Sequence, residues 1–182
     1  ERAFGSCINL KSITIPSSIQ RIESCAFIYC QNLTDIRIAG NNFIVEDNAI
    51  YTADETTLVA YPTASGSVEI PETVKTIGAG AFAGSLVDSI TIPESVTTIE
   101  REAFRDCRNL QTVEILAKVS VLPERMFGWC EKLTSVTIPA TVTSIEGWVF
   151  DGCNNLSSVT FEDTNNWYVS EYQASGSDGT PV

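Results

Sequence analysis

The chain has 182 residues, 43% of them hydrophobic, and a net charge of −12 from 11 basic and 23 acidic residues. This composition supports a packed core, while the negative charge argues against binding to nucleic acid or anionic lipid, which require a basic surface. Because the sequence has no run of 18 apolar residues, we expect no segment to insert into a membrane.

One motif recurs along the chain and dominates the sequence. It consists of a phenylalanine, a cysteine three residues later and a Leu-x-x-Ile-x-Ile segment, and its clearest copy runs from Ala103 to Ile115. The phenylalanines of successive copies are repeatedly 23 residues apart, as between Phe104 and Phe127. A fixed period of this length predicts a solenoid in which each coil contacts only its neighbours.

The first 40 residues contain about one and a half coils. Ile13 and Ile15 lie on the same face of a predicted strand, because side chains alternate along a strand, and Pro16 ends it. The pair Ile19 and Ile22, which has equivalents in later coils, predicts a second short strand on the opposite side. The Ala-Phe pair then predicts a short helical turn that leads to the cysteine.

Residues 41–66 interrupt the period. Two apolar runs, 43–51 and 58–62, flank a polar turn at 53–56, which predicts an inserted β-hairpin module. The repeat resumes at Val68 and continues through four more coils.

The repeat pattern ends at residue 161. We therefore predict a solenoid over residues 1–161, including the inserted hairpin module 41–66, and a C-terminal cap with a linker-like tail over 162–182. Within the cap, residues 162–169 are expected to place an aromatic lid, including Trp167, over the last coil. Because the chain starts inside a repeat at Glu1, we expect it to be a piece of a longer protein.

The full pattern, Leu-x-x-Ile-x-Ile-Pro-x-x-Val-x-x-Ile-x-x-x-Ala-Phe-x-x-Cys, resembles the bacterial BspA-like subclass of leucine-rich repeats. A clean copy runs from Leu133 to Cys153, and the similarity covers about residues 1–161. The resemblance implies a curved α/β-repeat solenoid, with parallel strands on one face, short strands and helical turns elsewhere, and one β-hairpin insertion. It also implies a cell-surface or secreted protein with a role in adhesion or protein binding.

Six cysteines are present, and five of them share one column of the repeat: Cys7, Cys30, Cys107, Cys130 and Cys153. Their spacing is not that of a zinc site, and the chain has no histidine, so we interpret them as a ladder of buried free thiols. Cys25 lies in a polar column, which predicts partial exposure and makes it the thiol expected to react most readily.

The outward positions of the Leu-x-x-Ile-x-Ile segments form the candidate binding face. Short hydroxyl side chains and a few charges suit close approach of a partner, although they equally suit a solvated sheet of high β-propensity. The partner-binding candidates on this face are Thr14, Asp35, Arg37, Thr91, Thr112, Glu114 and Thr137.

Exposed aromatic residues offer a second way to hold a partner. Trp129, Tyr29, Trp148 and Trp167 lie outside the core columns, where they either anchor a ligand or pack under the insertion or the cap. The second interpretation is the one we favour.

These features predict a non-catalytic protein. Without histidine no Ser/His/Asp or Cys/His set is available, and we expect no enzyme activity, no cofactor and no metal. The predicted function is that of an adhesin-like module that holds a protein or glycan of a host or bacterial surface on the solenoid face. The alternative is a passive structural spacer in a larger surface protein.

Overall fold

The computed structural model describes residues 1–163 and 168–169, which wind into a β-solenoid of about seven turns. In this part of the chain no helix is present that has the length and apolar character needed to cross a membrane. The strands, in chain order, are β1 (Ser12–Ile15), β2 (Asp35–Ile38), β3 (Phe43–Glu46), β4 (Ala49–Thr52), β5 (Thr57–Ala60), β6 (Ser65–Glu69), β7 (Thr76–Ile77), β8 (Leu86–Ile92), β9 (Thr98–Ile99), β10 (Thr112–Ile115), β11 (Val121–Leu122), β12 (Ser135–Ile138), β13 (Ser144–Ile145), β14 (Ser158–Phe161) and β15 (Tyr168–Val169).

Most strands belong to two columns that run along the solenoid. The main column contains β1, β2, β6, β8, β10, β12 and β14, hydrogen-bonded in parallel as the sets β1–β2, β6–β8–β10 and β12–β14. The second column contains β5–β7–β9 and β11–β13–β15, also parallel. The predicted solenoid with parallel strands is therefore confirmed.

Side chains of the main column alternate between the core and the surface. In β12, Val136 and Ile138 are buried while Ser135 and Thr137 are exposed, as the period of two requires. Beside this column the phenylalanine rings form a stack inside the solenoid, with centroids 5.1 Å apart between Phe82 and Phe104. The recurring apolar residues thus build the core of the solenoid.

The segments around the phenylalanines are series of tight turns, so the prediction of helical turns is wrong. A helix would use its N–H groups within the coil, whereas here alternate groups bond to the neighbouring coil. The Phe104 N–H donates to the Met126 carbonyl at 2.9 Å, while the Arg105 N–H donates within the coil to the Glu102 carbonyl. Glu102 and Asp106 adopt φ values of +59° and +58°, which no right-handed helix contains.

The inserted segment contains three antiparallel strands, β3, β4 and β5. The run 43–51, predicted as one strand, is divided by a tight turn at Asp47 and Asn48, with φ values of +48° and +64°. Two successive positive φ angles are typical of the type I′ turn that joins hairpin strands. The second turn, at 53–56, joins β4 to β5.

Strand β4 separates two hydrophobic cores. Ile50 packs with the core that contains Phe27 and Leu33, whereas Ala49 and Tyr51 pack with the larger core that follows. Because neighbouring side chains of a strand point to opposite faces, one strand serves both cores. The insertion is therefore an internal wall of the solenoid rather than a surface appendage.

On the side of the solenoid that is formed by the tight turns, called the turn side, the coils before and after the insertion contact each other directly. The Cys25 N–H donates to the Ala79 carbonyl at 3.3 Å, so the turn of the second coil lies directly on the turn that contains Gly80. A Cβ atom at Gly80 would lie 2.3 Å from the Cys25 Sγ and 2.7 Å from its backbone N, and Gly80 has a φ of +66°. Glycine is required here for both the close approach and the backbone conformation.

We expect Gly80→Ala to lower the free energy of unfolding by about 2–3 kcal/mol, from the positive φ and the contact with Cys25. Gly147→Ala is the matched control, because no atom lies within 4 Å of its Cβ position and its φ is not in the strained range. Urea unfolding of both variants measures the difference. Equal stability of the two variants would contradict the direct stacking of the turns.

Candidate binding surface

The outward positions of the main column form three surface patches, one for each hydrogen-bonded strand set, and β10 and β12 of two neighbouring sets contact each other. The predicted binding residues are distributed over all three patches. Thr91, Thr112 and Glu114 share the central patch on β8 and β10, Thr137 lies on β12, and the remaining candidates, Thr14, Asp35 and Arg37, lie on β1 and β2.

The central patch, on β6, β8 and β10, is the widest of the three. From Ser67 onward, after a bulge in the pairing of β6 with β8, its strands are in register, so their outward side chains form rows that cross the sheet. The Thr91 hydroxyl donates to the Glu114 carboxylate at 3.3 Å within one such row. The two rows are Ser67–Ser89–Thr112 and Glu69–Thr91–Glu114.

Apolar side chains lie at both ends of the central patch. Leu116 follows β10 and is 45% exposed, and Leu86 begins β8 and is 43% exposed. Leu116 lines an open pocket of about 470 Å³ together with Thr91 and Glu69. The central patch therefore combines hydroxyl and carboxylate side chains with exposed apolar side chains at its margins.

The first patch carries a surface ion pair. Arg37 donates to both carboxylate oxygens of Asp35, at 3.0 and 2.9 Å, and Thr14 is its neighbour on β1. This pair is exposed, and such pairs contribute little to stability. It holds the guanidinium in one position above the sheet, which is what a specific surface contact needs.

The repeated cysteines bond one coil to the next. The thiols of Cys107 and Cys130 donate to the carbonyls of Phe82 and Phe104, at 3.1 and 3.2 Å. Cys30 and Cys153 make the same contact with the preceding coil. These four thiols are buried and free, as predicted.

Two cysteines differ from the prediction. Cys7 is exposed, and no coil among the described residues covers it. Cys25 is only 3% exposed, because the turn at Gly80 packs directly against it. Burial raises the pKa of the Cys25 thiol to about 11, so the thiol is protonated at neutral pH and is a poor nucleophile.

A charged network surrounds the Cys25 thiol. The thiol donates to the Glu102 carboxylate at 3.3 Å, and Arg105 donates to the same carboxylate at 2.7 Å. Burial of Glu102 acts to raise the pKa of its carboxyl group, but the hydrogen bonds from Arg105 and Cys25 and the charge of Arg2 lower that pKa overall. The network joins non-adjacent coils and has a structural role.

We expect one fast-reacting thiol in the native 182-residue chain, that of Cys7. Titration with a coloured disulfide reagent should show the other five cysteines reacting on denaturation, since burial keeps a thiol protonated and inaccessible. Cys7→Ser should abolish the fast phase. A fast phase that survives this substitution would show that Cys25 is accessible and that the turn stacking is wrong.

Two tryptophans are exposed on the turn side instead of packing under the insertion. Trp129 is 42% exposed, and Gly152 leaves the room in which its ring packs. Trp148 is 38% exposed, with the Arg125 guanidinium 4.2 Å from its ring centroid. Trp167 lies outside the described residues, as does most of the predicted aromatic lid.

Two features of the candidate surface were not predicted from the sequence. Glu69 belongs to the outward row of β6, the strand on which the repeat resumes after the insertion, and no preceding phenylalanine or cysteine marks its place in the repeat. Leu116 occupies a position where other coils have proline, and this departure from the pattern is a sequence signal for an exposed apolar residue.

Comparison with known proteins identifies the family. The family model described as BspA type Leucine rich repeat region matches six copies over residues 1–65 and 60–175. None of the curated proteins compared with the chain matches it.

Three solved structures are similar to this one. A leucine-rich repeat protein from Eubacterium ventriosum is 29% identical with a TM-score of 0.65, covering 84% of this chain and 49% of that protein. A leucine rich cell surface protein from Faecalibacterium prausnitzii is 27% identical with a TM-score of 0.68, covering 86% and 49%. A leucine-rich repeat protein from Bacteroides ovatus is 29% identical with a TM-score of 0.62, covering 92% and 41%.

The chain spans half or less of the length of these three proteins. The likeness extends over most of the solenoid, and the repeat model matches nearly the whole chain in register. On this evidence the chain belongs to the BspA-type leucine-rich repeat family.

Proposed function

We propose that the chain is a non-catalytic binding module of a cell-surface or secreted bacterial protein, and that it holds a protein or glycan partner on the outward face of the main column. The observation that carries the proposal is the central patch, where three strands in register present hydroxyl and carboxylate side chains between two exposed leucines. Members of this repeat family are typically non-catalytic, which agrees with a binding role.

The surface location rests on the family and on one relative. The similar protein from Faecalibacterium prausnitzii is a cell surface protein, and its likeness covers 86% of this chain. The net charge of −12 keeps an extended solenoid soluble and directs it toward partners with basic surfaces.

An array of extracellular bacterial and host proteins and glycans tests the proposal. The 182-residue chain should be retained on at least one of them. Thr112→Arg, on strand β10 of the central patch, should weaken the retained complex about tenfold or more, because a long charged side chain prevents close approach. Thr98→Arg is the matched control, since Thr98 is also exposed but lies in the second column.

Three outcomes are informative. Loss of binding with Thr112→Arg and not with Thr98→Arg supports the central patch. Equal effects of the two substitutions would reject it. Retention on no protein or glycan would favour the alternative, a passive spacer in a larger surface protein.

A further inference from the structure

A second pocket lies between the inserted hairpin and the main column. Its volume is about 410 Å³, and it lies next to the central patch because Glu69 and Pro71 line both pockets. One wall is formed by the hairpin, with Glu46, Asp47 and Tyr51, and the opposite wall by strand β6. The pocket therefore exists only because the insertion interrupts the repeat.

Tyr51 is the most informative residue of this pocket. Its side chain is 93% buried, since its exposed fraction is 7%. The Tyr51 hydroxyl makes no hydrogen bond to any other residue that the structure describes, although it lines the pocket. Because the hydroxyl has no protein partner and is not among the fully buried unpaired atoms of the described residues, it keeps contact with the open pocket and is available for a ligand.

Negative charge surrounds the Tyr51 hydroxyl. Burial and, after it, the negative charges of Glu46, Asp47 and Glu55 together raise the pKa of Tyr51 to about 12. Burial and Asp47 also raise the pKa of Tyr61, on the other side of the pocket. The interior of the pocket consequently has a negative potential that favours a cation.

The turn that carries Glu55 is held in one conformation. Asp54 accepts hydrogen bonds from the hydroxyl of Thr52 at 2.7 Å and from the backbone N–H of Thr56 at 3.1 Å. Glu55 has a φ of +59° in this turn, and it lines the pocket. The carboxylate is therefore placed by a rigid turn, which reduces the entropy lost when a ligand binds.

The pocket suits an organic cation better than a metal ion. Among the described residues, no group of three or more acidic or thiol side chains is arranged to hold a metal. The carboxylates lie around a space of about 410 Å³ with tyrosine rings in its walls, which matches the size of a guanidinium or ammonium group with its alkyl stem.

We propose that this pocket receives an arginine or lysine side chain of the protein partner. The cation lies among the carboxylates of Glu46, Asp47 and Glu55 and donates a hydrogen bond to the Tyr51 hydroxyl. The inference rests on the proposed binding function and specifies its chemistry: a basic residue enters the pocket while the surrounding partner surface covers the central patch.

The probes are three blocked tripeptides, Gly-Arg-Gly, Gly-Lys-Gly and Gly-citrulline-Gly, titrated against the 182-residue chain by NMR. Citrulline has the shape of arginine without its charge. We expect the arginine and lysine peptides to shift amide signals of residues 46–51 and to bind at least about tenfold more tightly than the citrulline peptide. Equal binding of arginine and citrulline would overturn the proposal.

Substitutions locate the site. Glu55→Gln and Tyr51→Phe should each weaken binding of the arginine peptide by about threefold to tenfold, since each removes one charged or hydrogen-bonded contact. Asp151→Asn is the control, because it removes one carboxylate from the exposed turn of the last coil. Binding of the arginine peptide to this control variant should change by less than about twofold.

Two outcomes would overturn the proposal. Equal weakening by all three substitutions would show general attraction to a negative chain. Displacement of the peptide by calcium chloride would assign the pocket to a metal.

The partner retained in the array screen separates the two proposals. If Thr112→Arg abolishes its binding but Glu55→Gln and Tyr51→Phe do not, the binding module stands and the cation pocket fails. If no partner is retained, the peptide titration still decides the pocket by itself. Thermal unfolding of each variant confirms that the fold is intact.

Discussion

Replacing Phe104 by alanine is expected to lower the free energy of unfolding by about 3–5 kcal/mol, the range for removal of a fully buried phenylalanine. Phe104 has no exposed surface, and it stacks on Phe82 at 5.1 Å and on Phe127 at 5.5 Å. The substitution removes both ring contacts and leaves a cavity between coils. Because each coil of a solenoid is stabilised by its neighbours, the loss affects the interfaces on both sides.

Phe4→Ala is the matched control for this prediction. Phe4 is 38% exposed and stacks on one ring, that of Phe27, at 5.5 Å. Its replacement should cost about 1 kcal/mol, since one aromatic pair and part of one buried surface are lost. Urea unfolding followed by far-ultraviolet circular dichroism measures both variants. A cost below about 1 kcal/mol for Phe104→Ala would show that the phenylalanine stack does not hold the coils together.

The second large effect is expected in alkaline solution. Burial raises the pKa of Cys107 to about 12 and those of Cys25 and Cys153 to about 11, and it also raises the pKa values of Cys30 and Cys130. Above pH 9 the unfolded chain releases these protons while the folded chain keeps them. Stability is therefore fully present below pH 9 and decreases as the pH rises toward the folded-state values.

Between pH 7 and pH 10 the free energy of unfolding is expected to fall by about 3–5 kcal/mol. Each of the five buried thiols contributes up to about 1 kcal/mol, all of it over the pH unit above pH 9. Urea unfolding in the presence of a reducing agent at each pH measures it. Cys107→Ser together with Cys130→Ser should reduce the loss by about two fifths, because two of the five buried thiols no longer titrate. Serine already occupies this column at Ser85. Equal stability at pH 7 and pH 10 would contradict the burial of the thiols.

Residues that repeat were predictable and residues that do not repeat were not. Phe104, Cys107 and Leu110 face the core as predicted, because a position that recurs in every coil must satisfy the same packing in every coil. The turn conformation could not be predicted in this way. Alternate backbone N–H groups of the turn donate to the neighbouring coil. The sequence pattern that suggested a helix is local and contains no information on bonds between coils.

The burial of Cys25 could not be predicted from the other residues of its column in the repeat. Its column is polar in other coils, but the absence of a side chain at Gly80 lets two turns approach that are separated by the insertion. The tight turn within the insertion, in contrast, has a signal in the sequence. Asp47 and Asn48 are residues that favour the positive φ angles of a two-residue hairpin turn. The acidic pocket has no sequence signature, because it arises where the insertion meets β6.

For the candidate binding residues, too, the repeated strand pattern was predictable and the grouping on the surface was not. Thr91 and Glu114 were placed on the outward face by strand alternation, and the structure brings them into contact across two strands. Thr14 lies on a strand set that precedes the insertion, whereas Thr137 lies on β12, which contacts β10 without belonging to the same hydrogen-bonded set. The residues at the outward positions vary from coil to coil, so the sequence alone did not indicate which patch is the better candidate for binding.

The repeated residues build the solenoid, and we propose that the outward residues of the central patch bind the partner. Carboxyl footprinting of the chain, with and without a partner retained in the array screen, distinguishes this surface from the rest of the molecule. We expect labelling of Glu69 and Glu114 to fall when the partner binds, while labelling of Glu94 does not change. Protection confined to the turn side, around Trp129 and Trp148, with Glu69 and Glu114 labelled as in the free chain, would contradict it.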